Sequence, residues 1–113
     1  MAAAYASSKA PIRNHTNTVA LSCAAQGLNI DCNSIHPAAV MTPIWEPMLG
    51  NWPDRAAQAS AMAADTPMRR FGKPEKVAAL AVLVASYEAL YMTGAELTID
   101  GGILAGSAAT PAN

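Results

Sequence analysis

The chain has 113 residues, a formal net charge of -1 and 13% charged residues, where about 25% is usual for a soluble domain, so little polar surface is available to clothe it. A sequence pI near 6.0 and a single basic cluster, Arg69, Arg70 and Lys73, fall short of a nucleic-acid footprint, and those charges read as a solvated turn. No apolar run approaches the ~20 residues of a membrane span, and the alanine-rich start lacks a signal peptide's basic flank, which favours a cytoplasmic chain whose surface expects a partner.

The first predicted element is a helix of small residues. In AAYASSKA, Tyr5 and Lys9 stand four residues apart, so a helix stacks them on one face. An unperturbed tyrosine titrates near pH ~10, and an adjacent lysine cation that steadies the phenolate makes such a phenol useful for proton transfer nearer neutrality. The spacing alone fits an ordinary solvated pair equally well. At 100° per residue Tyr5, Lys9, Ile12, Thr16, Val19 and Cys23 fall in one stripe, which predicts that the pair continues an inward-facing line. Pro11 interrupts that helix, where a lost hydrogen bond costs about 3 kcal/mol and a kink is expected to displace Lys9.

Gly27 supplies a helix stop. Ile30 and Cys32, alternating with Asn29, Asp31 and Asn33, then predict a strand ending at His36-Pro37. Cys23 and Cys32 are too few and too far apart for a zinc site and read as buried free thiols, and His15 and His36 add no ligand cluster. Residues 43 to 68 carry Pro43, Pro47, Gly50, Pro53 and Pro67, which break regular structure repeatedly, with room for one helix over 54 to 64. This segment reads as an excursion or lid. Its Trp45, Met48, Leu49, Trp52 and Met62 suit a hydrophobic ligand, or simply pack the lid or a subunit contact.

Pro74 and Glu75 open a further helix whose core, Val77 to Ala85, is apolar nearly all round and is therefore expected to be buried. Leu97 and Ile99 alternate with Glu96, Thr98 and Asp100 before Gly101-Gly102, which predicts a last strand and a turn. Residues 107–113 read as a disordered tail. Two strands joined through helices are expected to pair in parallel, and parallel strands are stable inside larger covered sheets. The pieces therefore read as part of a larger domain.

Taken in order, AAYASSKA, HPAAVMT, RRFGKPEKVAALAVLVAS and MTGAELTIDGG resemble the C-terminal half of the short-chain dehydrogenase/reductase family, nicotinamide-dependent enzymes with a Rossmann-like sheet. The likeness runs through nearly all of residues 2 to 106. It implies an α/β fold, the C-terminal part of a doubly wound parallel sheet, incomplete, in the order helix, strand, lid, helix, strand. Residues 1–106 would then be the C-terminal half of one Rossmann-like domain, with the lid at about 43–68 and Met1 as an internal methionine.

The resemblance also implies roles. Tyr5 would be the general acid/base at a carbonyl or hydroxyl oxygen, with Lys9 steadying its ionised form and holding the nicotinamide ribose. Ser7 and Ser8 take no catalytic role. The segment from His36 to Thr42 resembles the family's Pro-Gly-x-x-x-Thr turn, which begins at Pro37, meets the nicotinamide amide at the backbone of Val40 and touches the cofactor with the hydroxyl of Thr42. Read without the family, the same segment is a proline-containing strand exit with an N-cap-like threonine. Ala38 replaces the family's glycine; if that position needs φ > 0, the methyl costs roughly 1 kcal/mol or more and weakens cofactor binding. His15 and Tyr87 depart from the family pattern as well, and His15 reads as a core or interface residue.

The implied cofactor is NAD or NADP, and the implied substrate a small, hydrophobic secondary alcohol or ketone, steroid-like in the extreme. The implied assembly of the complete protein is a homo-oligomer, dimer or tetramer, with the last strand and its preceding helix at a contact. Because the glycine-rich phosphate turn is not among these residues, the 113-residue chain alone is expected to be inactive. The alternative is a non-catalytic assembly module that docks onto intact subunits.

Overall fold

The computed structural model describes residues 2–50 and 53–106. The expectations for Met1, Trp52 and the tail 107–113 lie outside those residues. The elements, in chain order, are helices α1 (Ala2–Lys9) and α2 (Pro11–Ala25), strand β1 (Ser34–Pro37), helices α3 (Glu46–Leu49), α4 (Arg55–Met62) and α5 (Pro74–Val84), and strand β2 (Glu96–Ile99). Short 3-10 turns at Pro43–Trp45, Tyr87–Ala89 and Ile103–Ala105 join them. This is an α/β arrangement, and its two-stranded sheet pairs β1 with β2. Ser34 N–H donates to Ala95 O at 3.0 Å and Ala38 N–H to Ile99 O at 3.3 Å, so both strands advance together and the pairing is parallel. No helix among the described residues is long and apolar enough to cross a membrane.

The chain divides into two units, Met1–His36 with Leu80–Leu97, and Pro37–Ala79 with Thr98–Asn113. In the first, alanine dominates α1, which favours helix, and α2 ends where Gly27 turns left-handed at φ 65. Leu28 N–H then reaches back to Cys23 O at 2.9 Å and Gly27 N–H to Ala24 O at 3.0 Å, the Schellman closure that absorbs orphan carbonyls. Thr16, Ala20, Cys23, Ser34 and Ala89 are its buried residues. In the second unit, Leu49, Ala63 and Thr66 are buried, with Leu49 fully so. Trp45 packs edge-on against Phe71, ring centroids 5.2 Å apart, and its indole N–H donates to Val40 O at 2.9 Å. A bidentate pair of Arg55 with Glu46, both bonds 2.6 Å, ties α4 back to α3 and holds the Glu46 carboxyl below its usual range, chiefly through that hydrogen bond. The excursion over 43 to 68 is thus internally packed, and Trp45 and Leu49 are part of that packing.

Four expectations need correction. Pro11 does not sit in a helix interior. The helix breaks into α1 and α2, and Pro11 becomes the first residue of α2, where its missing N–H is least costly. The regular strand begins at Ser34 rather than near Ile30: at residues 32 and 33 a single backbone bond, Gly94 N–H to Cys32 O at 2.7 Å, is joined by side-chain bonds of Thr93 and Asn33 in place of a continuous ladder. The stripe from Tyr5 to Cys23 buries only its far end: Thr16 and Cys23 are buried, Val19 is half-buried, and Tyr5, Lys9 and Ile12 are exposed. Helix α5 has no buried residue: Val77, Leu80 and Val84 are half-buried and Val82 is 69% exposed, so the described residues cover only one side of its apolar surface.

Candidate active site

In the first unit, α1 carries Tyr5 and Lys9 one turn apart, as their spacing requires. Lys9 Nζ lies 5.7 Å from the centre of the Tyr5 ring, within the range at which an ammonium is attracted to an aromatic face. The pair therefore keeps company despite the break at Ala10, whose φ of -55 and ψ of -40 remain helical. Tyr5 is 66% exposed, so its phenol is accessible from solvent. Ser8 Oγ donates to Tyr5 O at 2.7 Å, a helical back-bond that commits its hydroxyl to the backbone.

In the second unit, the turn from Pro37 to Thr42 leaves the end of β1. Gly72 N–H donates to Ala39 O at 2.9 Å and Met41 N–H donates to Gly72 O at 3.0 Å, which makes a parallel bridge between Val40 and Gly72. In such a bridge the flanking residues supply the bonds, so Val40's own N–H and C=O point the other way. The C=O is taken by Trp45. Thr42 precedes the 3-10 turn in extended backbone, φ -140 and ψ 167, and its side chain makes no capping bond there. The threonine thus stands at an N-cap position without acting as a cap. Ala38 is not among the residues with positive φ; the only non-glycine with one, among the described residues, is Arg69 at 53. The backbone penalty anticipated for Ala38 does not arise.

The structure thus brings Tyr5 and Lys9 together in one unit, and Pro37, Val40 and Thr42 onto one turn of the other. This arrangement can present a phenol beside a cation, and a backbone N–H beside a hydroxyl.

Residues 1–104 match the family model described as enoyl-(acyl carrier protein) reductase. The chain belongs to the short-chain dehydrogenase/reductase family. Among its relatives, the NADP-dependent (R)-specific alcohol dehydrogenase of Lentilactobacillus kefiri is 33% identical over 102 residues, covering 90% of this chain and 38% of that protein. The 3-beta-hydroxysteroid dehydrogenase of Comamonas testosteroni is 36% identical over 105 residues, 90% of this chain and 40% of that protein. In three dimensions the chain superposes on ligand-free aldohexose dehydrogenase from Thermoplasma acidophilum with a TM-score of 0.86 at 28% identity, covering 98% of this chain and 44% of that one. The chain therefore spans less than half the length of these short-chain dehydrogenase/reductase relatives, and its sheet is a partial Rossmann fold.

Three features around this family framework were not read from sequence. Asn33 bonds in both directions, its Nδ2 to Met92 O at 2.7 Å and its Oδ1 accepting from Ala95 N–H at 2.9 Å, and so seats β1 beside the segment leading into β2. Arg13 Nε meets Glu96 at 2.9 Å, linking α2 to β2. Ser34 Oγ and His36 Nε2 lie 2.7 Å apart on one face of β1, which the strand period of two predicts once the strand's start is known. For Asn33 the only signal was an amide at a strand edge, and sequence does not tell a bridging amide from a solvated one.

Proposed function

We propose that the chain carries the acid/base and nicotinamide-facing part of an NAD(P)-dependent oxidoreductase that interconverts a secondary alcohol and a ketone. The observation that carries this reading is the Tyr5–Lys9 pair, 5.7 Å from ammonium to ring, within a chain matched to the family over residues 1–104. The residues fit a nicotinamide: Val40's N–H is turned away from Gly72, the Thr42 side chain is not spent on a cap, and Ala38 takes a backbone that tolerates its methyl. When bound, the nicotinamide supplies or accepts hydride.

In this mechanism Tyr5 Oη gives a proton to the carbonyl oxygen during reduction and withdraws one from the hydroxyl during oxidation. Lys9 steadies the phenolate left behind and would also hold the nicotinamide ribose. Val40 N–H and the Thr42 hydroxyl would hold its carboxamide, with Pro37 fixing the turn that presents them. The apolar Met48 and Met62, 49% and 37% exposed, favour a hydrophobic substrate, in keeping with one relative that is a steroid dehydrogenase. The 113-residue chain alone has no turnover in this reading.

The test is a chimera that joins this chain to the amino-terminal part of the Lentilactobacillus kefiri relative, assayed for NADPH-dependent ketone reduction. Turnover that Tyr5→Phe lowers by about 10²–10⁴-fold supports the assignment. An active chimera indifferent to Tyr5→Phe overturns it.

A second reading, a non-catalytic module that docks onto intact subunits, is favoured by the uncovered side of α5, where Val82 is 69% and Leu83 47% exposed. Co-purification with a full-length relative whose turnover ignores Tyr5→Phe in this chain would select it.

A further inference from the structure

The second unit contains a small cavity of about 110 Å³ whose lining includes two exposed cationic residues, Arg70 and Lys76. Among its other lining residues, Ala38 and Ala39 directly follow β1, and Asp100 and Gly101 directly follow β2. It therefore lies at the carboxyl ends of two parallel strands, the edge at which open α/β sheets take their ligands. The cavity is far larger than the roughly 10–15 Å³ that one water requires.

The charges in it are unbalanced. The ion pairs among the described residues are Arg13 with Glu96 and Arg55 with Glu46, and neither Arg70 nor Lys76 takes part in one. Arg70 spends a single long donor bond of 3.4 Å on Phe71 O, which leaves most of its guanidinium fork uncommitted. The cavity's one carboxylate, Asp100, is committed: Oδ1 accepts from Gly102 N–H and Oδ2 from Leu104 N–H, both at 2.8 Å. With Asp100 counted, the lining still carries one net positive charge, which favours an incoming anion.

We infer that this cavity is a subsite for a compact anion, the phosphate or carboxylate end of a small molecule, held by Arg70 and Lys76. Arg70 offers paired N–H donors suited to two anion oxygens, and Lys76 adds a point charge from the first turn of α5. The inference is independent of the oxidoreductase reading, because it needs neither cofactor nor turnover.

The full chain, labelled with ¹⁵N, is titrated with inorganic phosphate and separately with acetate at constant ionic strength, following the Gly72 and Gly101 amides. Saturable shifts are expected with at least one of them. The tighter of the two names the source as phosphoryl or carboxylate. Arg70→Gln and Lys76→Gln should each weaken binding by about tenfold or more, while Lys73→Gln, which removes a neighbouring cation outside the cavity, leaves it unchanged. Lys76→Glu places a carboxylate beside Arg70 and should abolish anion binding with the helical circular dichroism intact, so lost binding is not mistaken for lost fold. Absence of saturation with both anions overturns the inference. So does a loss with Lys73→Gln equal to that with Arg70→Gln, since the patch would then act only as diffuse charge.

Discussion

Replacing Asn33 by alanine removes two hydrogen bonds at once, the 2.7 Å bond to Met92 O and the 2.9 Å bond from Ala95 N–H, both part-buried and both closing chain separations of about sixty residues. A net contribution of about 1 kcal/mol per bond puts the loss near 2 kcal/mol. At 1.4 kcal/mol per decade, the Ala95 amide should then exchange with deuterated solvent about 30-fold faster. Asn33→Asp keeps an acceptor for Ala95 but gives up the donor to Met92, so about 1 kcal/mol, or fivefold, is expected. Ser8→Ala, which deletes a bond confined to α1, serves as the control and should leave Ala95 unchanged. Ala95 exchange that is equal in the parent and Asn33→Ala would refute the claim that this amide, rather than the strand ladder, seats β1.

Gly101 stands at φ 66, and a methyl there would lie 2.6 Å from Thr66 Cγ2, so Gly101→Ala should cost about 2–4 kcal/mol in denaturant unfolding, combining left-handed strain with overpacking. Adding Thr66→Ser deletes the clashing carbon and should recover the packing share but not the strain, a difference that a double-mutant cycle reads directly. Asp100 has its carboxyl held below the usual 3.8, first by the Leu104 amide and then by the Gly102 amide. Ionisation is thus easier in the folded chain than in the unfolded one. The stabilisation is complete above pH 3.8 and is lost as pH falls through the lower, folded value, so acid titration should destabilise the parent more steeply than Asp100→Asn below that point and equally above it.

Local chemistry made much of this fold legible. Gly27 ends α2 because a left-handed residue is needed for the closure onto Cys23 and Ala24, and Pro74 begins α5 because its fixed φ suits a first helical position. The alternation at 96 to 99 is a strand, and Tyr5 and Lys9 are neighbours on one helical turn. What could not be read depended on partners distant in sequence. The true start of β1 is set by Asn33, Thr93 and Ala95. The exposure of Tyr5, Ile12 and Val82 depends on which surfaces meet them, and periodicity reports only that a face is apolar. The convergence of Arg70 and Lys76 with residues 38, 39, 100 and 101 required the two strand ends to lie side by side.

The seam at Pro11 has a consequence for timing. Having no amide hydrogen, Pro11 leaves one rung of the helical hydrogen-bond ladder missing at the join of α1 and α2. The turn that carries the tyrosine and lysine is thus tied less tightly to the residues beyond the proline, and amides of α1 are expected to exchange with solvent sooner than those of α2.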